Sequence, residues 1–275
     1  MPLIGSHATV TGGLAAGGLS YAAAVDAEVI QVFVSNPRGW AAGPGSAAED
    51  ARLRDSAVPA FIHATYMINL GSRNPEVAAK SADAVAHALR RGGEIEARGV
   101  VVHTGSGVGW DRDRALAQLA ELTLPLLDKL ADDDPDLLFE PMAGQGQMLC
   151  AQAGDLAEYL AALEFHPKAG VCLDTCHLFA AGHDLTADGG VRAMLAELSA
   201  AGAGDRVKLV HANDSVLGCG SKRDRHAAIG AGLLGTAPFG ELLRALPDVP
   251  FVVETPGGKT GHARDIATLK GLREQ

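Results

Sequence analysis

Short runs of apolar residues recur along the whole chain and predict buried β-strands. They are rich in β-branched residues and lack polar alternation, which is typical of a parallel sheet covered on both faces. Eight such runs are LIGSH (3–7), VIQVFV (29–34), AFIHA (60–64), VVVHT (100–104), LLFEP (137–141), VCLDT (171–175), VKLVHAN (207–213) and FVVET (251–255). Successive runs begin 26 to 44 residues apart, which leaves room for a helix after each strand.

Segments rich in Ala, Leu and Glu lie between these runs and predict helices. The clearest are 75–97, 113–131, 152–164 and 190–201, and Pro125 predicts a kink or a break in the second. The stretches 41–47 and 215–236 are predicted as long βα loops. Repeated strand–helix alternation favours an α/β fold of the (β/α)₈ TIM-barrel class, in one domain over residues 1–275. An open doubly wound sheet stays possible, because the sequence does not show closure.

Composition limits the partners and the compartment. Asp and Glu number 33 against 23 Lys and Arg, so the formal net charge is −10, which excludes a globally basic coat for nucleic acid. None of the four cysteines forms a C-x-x-C pair, and no disulfide ladder is implied, which indicates a reducing compartment. No secretory signal or membrane span is visible, so we expect a cytoplasmic protein.

A polar side chain stands at or just after the end of every apolar run. In a parallel barrel such positions converge at the C-terminal face, where barrel enzymes keep their active sites. The eight residues are His7, Asn36, His63, His103, Glu140, Asp174, His211 and Glu254. Each alone is more often a hydrogen-bonded structural residue or a helix N-cap. Together, so many carboxylates and imidazoles require a counter-charge, which a divalent metal supplies.

Two local spacings enlarge the set of candidate ligands. Asp174 and His177 are three residues apart in LDTCH, and Asp224 and His226 are two apart in DRH. The candidate metal ligands are then five imidazoles and four carboxylates: His63, His103, His177, His211, His226, Glu140, Asp174, Asp224 and Glu254. Nine ligands exceed the need of one ion and fit three that share a carboxylate. Ligation by nitrogen and oxygen without thiolate indicates Zn²⁺ or Mn²⁺, and the number of imidazoles favours Zn²⁺.

Several longer motifs occur in the order in which one known family has them. They are GSHATVTGGL (5–14), QVFVSNPRGW (31–40), HATYMINLGS (63–72), VVHTGS (101–106), FEPMAGQG (139–146), VCLDTCHLFAAGHDL (171–185), HANDS (211–215), GSKRDRHAAIG (220–230) and VVETP (252–256). The sequence thereby resembles endonuclease IV, the trinuclear-zinc apurinic/apyrimidinic (AP) endonucleases of DNA base-excision repair. The resemblance implies a xylose isomerase-like TIM barrel that hydrolyses the phosphodiester 5′ to an abasic site in duplex DNA, leaving a 3′-hydroxyl and a 5′-deoxyribose phosphate. It also implies a monomer without membrane or obligatory protein partner, associated with the nucleoid when acting on DNA.

The resemblance further implies how three Zn²⁺ ions per chain, with Mn²⁺ possible in some sites, divide the ligands. The first ion takes His63, His103 and Glu140; the second takes Glu140, Asp174, His211 and Glu254; the third takes His177, Asp224 and His226. A hydroxide bridging the first two ions would attack the phosphate, and the third would stabilise the leaving oxygen. Glu140 and Glu254 are then catalytic, and Glu254 would also accept a proton from the nucleophile.

Loop residues are expected to open the DNA. By resemblance these are Arg38, Tyr66 and Met67, because an apolar wedge fills the gap left by a flipped nucleotide. Without the resemblance, Tyr66 and Met67 would instead be interpreted as a small core under their loop.

Basic residues flank the ligands of the third ion. Lys222, Arg223 and Arg225 surround Asp224 and His226, and they favour a positive binding face on an acidic body. His7 and Asn36 complete the residues expected to contact DNA. A solvated loop is the alternative interpretation of the basic cluster.

A few positions depart from the family's pattern. Pro141 follows Glu140 where the family commonly has Asn, so a side-chain hydrogen bond near the metals is expected to be missing. Other departures are Ser35, Thr65 and Ala212. Two other functions stay open: a metal-dependent sugar isomerase or epimerase, which needs only the second ion's ligands, and a non-catalytic DNA-binding or metal-storing barrel.

Overall fold

Eight parallel strands form the centre of the molecule in the computed structural model, which describes all 275 residues. They are β1 (Ile4–His7), β2 (Ile30–Val32), β3 (Ala60–His63), β4 (Gly99–His103), β5 (Asp136–Glu140), β6 (Ala169–Asp174), β7 (Val207–His211) and β10 (Phe251–Val253). Each strand pairs with the next, and β10 pairs with both β7 and β1, so the sheet closes. The (β/α)₈ TIM barrel is confirmed, and the open sheet is excluded.

Nine helices surround the strands. They are α1 (Leu14–Val25), α2 (Ala47–Arg54), α3 (Pro75–Glu94), α4 (Arg112–Leu127), α5 (Leu156–Ala162), α6 (Thr175–Ala181), α7 (Gly190–Ala200), α8 (Ala237–Ala245) and α9 (Gly258–Arg273). Of the kink or break predicted at Pro125, the break is excluded, because α4 continues through Pro125 and ends at Leu127. The proline lies in the last turn, where it costs the helix one backbone N–H. None of the nine helices has the length and hydrophobicity that crossing a membrane requires.

Two of the predicted segments differ in detail. The predicted helix 152–164 is a 3₁₀ turn, Ala153–Asp155, followed by α5. The predicted loop 215–236 contains most of a short antiparallel pair, β8 (Asp214–Ser215) with β9 (His226–Ala227). All four cysteines are free, and only Cys219 is exposed.

Asp214 organises this long loop. Its carboxylate is fully buried and accepts four backbone N–H groups, two at each oxygen. The donors are Ser215 and Leu234 to Oδ1, and Gly230 and Gly232 to Oδ2. Gly232 is required there, because a Cβ at that position would lie 2.4 Å from Oδ1. The loop that carries Asp224 and His226 is therefore closed around one buried charge.

The interior of the barrel is closed below by an apolar layer. Its members, all buried, are Val29, Phe61, Val101, Leu138, Cys172, Leu209 and Val252. A larger cluster of 57 buried residues fills the space between the strands and the helices. Side chains two positions further along each strand also point into the barrel. They form the next layer, which lies nearer to the C-terminal mouth.

Candidate metal centre

Strand alternation places a polar layer directly above the apolar floor. Two residues after each floor residue stands a polar one: Gln31, His63, His103, Glu140, Asp174, His211 and Glu254. On β1 the equivalent polar residue is His7. Because residues two apart in a strand share a face, these side chains meet around the barrel axis. Glu140 lies within 3.5 Å of four of the five candidate histidine ligands and joins the groups described below.

The first group comprises His63, His103 and Glu140. Glu140 Oε2 lies 3.4 Å from His63 Nε2 and 3.5 Å from His103 Nε2. His63 Nδ1 donates to the carbonyl of Ala64 at 2.7 Å, so Nε2 is the nitrogen left for a metal. Burial outweighs the nearby carboxylates and lowers the pKa of His103 to about 4, which keeps that ring neutral, as a metal ligand must be.

The second group is centred on His211. Its Nδ1 lies 3.3 Å from Glu140 Oε1, 3.4 Å from Glu254 Oε2 and 4.0 Å from Asp174 Oδ2. Asp174 also caps α6, because its Oδ1 accepts the N–H of His177 at 2.9 Å. The N-cap role and the ligand role therefore belong to different oxygens of one carboxylate.

The third group comprises His177, Asp224 and His226. Asp224 Oδ1 lies 3.0 Å from His226 Nε2, and Oδ2 lies 3.4 Å from His177 Nε2. His177 Nδ1 lies 3.1 Å from the backbone carbonyl of Pro141 and 3.2 Å from Glu140 Oε1, so these two oxygens hold the ring although a side-chain amide is lacking at residue 141. Burial opposes charge on His226, but Asp174 and Asp224 outweigh it and raise its pKa to about 9.

Unpaired polar atoms at the centre show that these groups suit cations. Glu140 Oε2, His177 Nε2 and His226 Nε2 are buried without a hydrogen-bond partner, although all three are directed towards other candidate ligands. Leaving such atoms unpaired costs about 1–3 kcal/mol each. Burial raises the pKa of the nearby Cys172 and Cys176 thiols to about 12, so they are poor ligands. The donor set therefore fits divalent ions bound by nitrogen and oxygen.

Gln31 is a buried member of the centre that the sequence patterns did not single out. Asn36 was expected at the end of β2, but it is exposed, and its Oδ1 accepts the N–H of Arg38, so it does not join the cluster. The fully buried Gln31 takes that place. The sequence did contain a signal for Gln31. It stands two residues after the floor residue Val29, and each strand-end ligand stands two residues after the floor residue of its own strand.

His7 lies inside the centre, beside two of its members. Its Nδ1 is 3.1 Å from Glu254 Oε1 and 3.0 Å from Gln31 Nε2, and its ring packs against Phe33. The side chain is 14% exposed, so only its edge faces the mouth of the barrel. A contact between His7 and DNA stays a prediction.

Tyr66 and Met67 lie at the rim of the mouth. Their exposed fractions are 47% and 41%, which is unlike a core. The Tyr66 ring stacks on His103, with ring centroids 5.6 Å apart and an interplanar angle of 18°. The loop therefore presents an aromatic and an apolar side chain to solvent directly above the first group.

The basic residues are exposed and form no ion pairs. Arg38, Lys222, Arg223 and Arg225 all lie on the solvent side of the βα loops. Arg225 donates only to the carbonyl of Asp224, at 2.6 Å. Their charges are therefore free to meet an anionic ligand, and their role in binding DNA stays a prediction.

Comparison with known proteins identifies the family of the chain. A family model described as xylose isomerase-like TIM barrel matches residues 19–272. A probable endonuclease 4 of Streptomyces coelicolor is 50% identical, and the alignment covers 98% of this chain and 95% of that protein. The crystal structure of endonuclease IV from Thermus thermophilus superposes with a TM-score of 0.87 at 34% identity over 99% of both chains. A D-tagatose 3-epimerase-like protein, at a TM-score of 0.76 and 18% identity over 99% of this chain and 97% of that chain, shares the fold alone. The chain belongs to the endonuclease IV family of xylose isomerase-like TIM barrels.

Proposed function

We propose that the protein is an AP endonuclease of DNA repair. It would hydrolyse the phosphodiester 5′ to an abasic site in duplex DNA and leave a 3′-hydroxyl and a 5′-deoxyribose phosphate. Residues 1–275 would form one domain, and the protein would act as a monomer without an obligatory protein partner. In the cell it would act in the cytoplasm, at the nucleoid.

The observation that carries this proposal is the third group of ligands. A sugar isomerase or epimerase needs a single metal centre of the kind around His211 and has no use for a separate His177–Asp224–His226 set. Here Asp224 lies within 3.4 Å of both imidazoles of that set, which leaves a third place for a cation next to the other two. Three adjacent cations suit a reaction in which negative charge develops on a phosphate.

Zn²⁺ is the proposed metal, because five of the nine candidate ligands are imidazoles. When bound, the ions would lower the pKa of a bound water and offset the charge of the reacting phosphate. Glu140 would lie between two ions, since each of its oxygens faces a different group. Burial opposes the charge of Glu254, but the imidazoles around it hold its pKa well below the ordinary value, so it is ionised and able to accept a proton from the attacking water.

The rim would hold the DNA. Tyr66 and Met67 would fill the gap left by the abasic nucleotide when it enters the mouth, and exposed Arg38 and the 222–225 loop would contact backbone phosphates. Cations in the centre would more than neutralise its four carboxylates. This would make the binding face positive although the whole chain carries −10.

Incision of a defined lesion tests the proposal. Zinc-loaded protein is incubated with a duplex that carries one tetrahydrofuran analogue of an abasic site, which cannot react by β-elimination. We expect a single cut 5′ to the lesion, with a 3′ end that a DNA polymerase extends. An intact duplex of the same sequence is the control, and no cut would refute the proposal.

Metal analysis tests the centre separately. Elemental analysis of gently purified protein is expected to approach three divalent ions per chain. One ion or none in an active enzyme would refute the three-ion centre. Exchange of protons between a ketose and solvent, without incision of DNA, would instead identify a sugar epimerase.

A further inference from the structure

Gln31 forms hydrogen bonds with two of the candidate metal ligands, His211 and Glu254. Its Oε1 lies 2.9 Å from His211 Nε2, and its Nε2 lies 2.7 Å from Glu254 Oε1 and 3.0 Å from His7 Nδ1. The side chain, from the middle residue of β2, is fully buried, so no water competes for these contacts. One amide therefore satisfies an imidazole and a carboxylate that face the same cation position.

Only one orientation of this amide is consistent with its neighbours. If oxygen and nitrogen were exchanged, an oxygen would lie 2.7 Å from the Glu254 carboxylate, and the NH₂ group would face a ring nitrogen. In the orientation described, the amide NH₂ group donates to Glu254 Oε1, and the amide oxygen accepts a proton from His211 Nε2. Because Nε2 carries this proton, Nδ1, which faces Glu140 and Glu254, is the nitrogen of His211 that is left for a metal.

Three other histidines in the centre are held in a different way. His63, His177 and His226 direct Nδ1 to backbone carbonyls, those of Ala64, Pro141 and Glu254, and leave Nε2 for a metal. Of these four rings, only His211 has its Nε2 hydrogen-bonded, to the side chain of Gln31, which leaves Nδ1 for a metal. The ligand atom of this ring is therefore determined by residue 31.

We propose that Gln31 is a positioning residue for the second ion. It selects the Nδ1 tautomer of His211 and fixes the direction of the Glu254 carboxylate, and thereby sets how tightly that ion is bound. The inference rests on the metal occupancy proposed above. Groups that orient metal ligands in this way typically change metal affinity by ~10–100-fold when they are removed.

Gln31→Met and Gln31→Glu separate the two contacts. Methionine keeps the length and approximate volume of the side chain but removes both polar contacts. Glutamate still accepts from His211 Nε2 but places a second carboxylate against Glu254. Gln118→Ala is the matched control, since Gln118 Nε2 also makes two hydrogen bonds, to the carbonyls of Leu70 and Ser72 at 2.7 and 2.9 Å, and none to a candidate ligand.

Zinc release and histidine NMR are the measurements. In Gln31→Met we expect one of three zinc ions to leave ~10–100-fold faster under a chelator, and anomalous diffraction to show the loss at the His211 position. Spectra of ¹⁵N-histidine should show a protonated Nε2 for His211 in the wild type and in Gln31→Glu. That signal should be lost in Gln31→Met. Gln118→Ala should keep all three ions.

Each result decides a different question. Wild-type release rates and an unchanged His211 signal in Gln31→Met would overturn the inference and leave the proposed function standing. Equal loss of all three ions would also overturn it, because the effect would then be general destabilisation. A wild-type chain that binds no zinc would refute the proposed metal centre, and with it this inference.

Discussion

Replacement of Asp214 by asparagine is expected to release the loop that carries the third group of ligands. Both carboxylate oxygens of Asp214 are in use, and each accepts two backbone N–H groups at 2.7 to 3.0 Å. Asparagine has one oxygen, so in either orientation it satisfies two donors and turns its own NH₂ group towards the other two. The residue is fully buried, so water does not replace the lost acceptor.

The size of the effect follows from the number of lost partners. Two unsatisfied buried N–H groups cost about 1–3 kcal/mol each, so Asp214→Asn should lower the free energy of unfolding by about 2–6 kcal/mol. Chains of about 150–250 residues lose about 2–4 °C of Tm per kcal/mol, and the shift per kcal/mol is smaller for this longer chain, so we expect Tm to fall by several degrees. If the loop opens locally instead, the Tm will change little, and the amide hydrogens of Gly230, Gly232 and Leu234 will exchange faster with solvent.

Asp155→Asn is the matched control for this experiment. Asp155 also accepts two backbone N–H groups, from Ala151 and Gln152, but both go to Oδ2, so a single amide oxygen can keep them. Calorimetry, amide hydrogen exchange and zinc content are measured on both variants. If Asp214→Asn matches Asp155→Asn in Tm, in the exchange of the loop and in the retention of the third ion, the reasoning is wrong.

Four further outcomes are expected. Glu254→Gln should keep the fold and lower kcat on abasic duplex by ~10²–10⁴-fold; near wild-type kcat with unchanged metal content would contradict this. His226→Ala should reduce the metal content from three ions to two, and joint loss of all three would show that the sites are not separable. Truncating Tyr66 and Met67 together to Ala should weaken binding to abasic duplex with little change in Tm, because both are more than 40% exposed, whereas a large Tm drop with unchanged affinity would restore the core interpretation. Zinc binding to metal-free protein should release protons and tighten between pH 7 and 9, because His226, with a pKa of about 9, must lose its proton to bind; calorimetry that shows no proton release would contradict this.

The candidate ligands could be found from the sequence because strand and loop positions have fixed local consequences. A strand buried on both faces needs apolar residues, so a histidine or carboxylate at its end stands out, as His103 and Glu140 do in their runs. The Asp224-x-His226 spacing likewise brings two ligand atoms to 3.0 Å of one another. These are relations between close neighbours in the chain, and no knowledge of the fold is needed to recognise them.

The sequence alone determined the alternation of strands and helices and the chemical character of the mouth of the barrel. Only the tertiary structure decided whether Gln31 in β2 or Asn36 in the loop after it enters the centre, because that depends on where the strand ends relative to the apolar floor. It also decided which nitrogen of each imidazole is free, since the partners of His177 and His211 lie on strands or loops 36 and 180 residues away. The physical reason is the same in both cases: hydrogen-bond partners across a barrel are set by strand register and closure, which pairs residues that the chain keeps far apart.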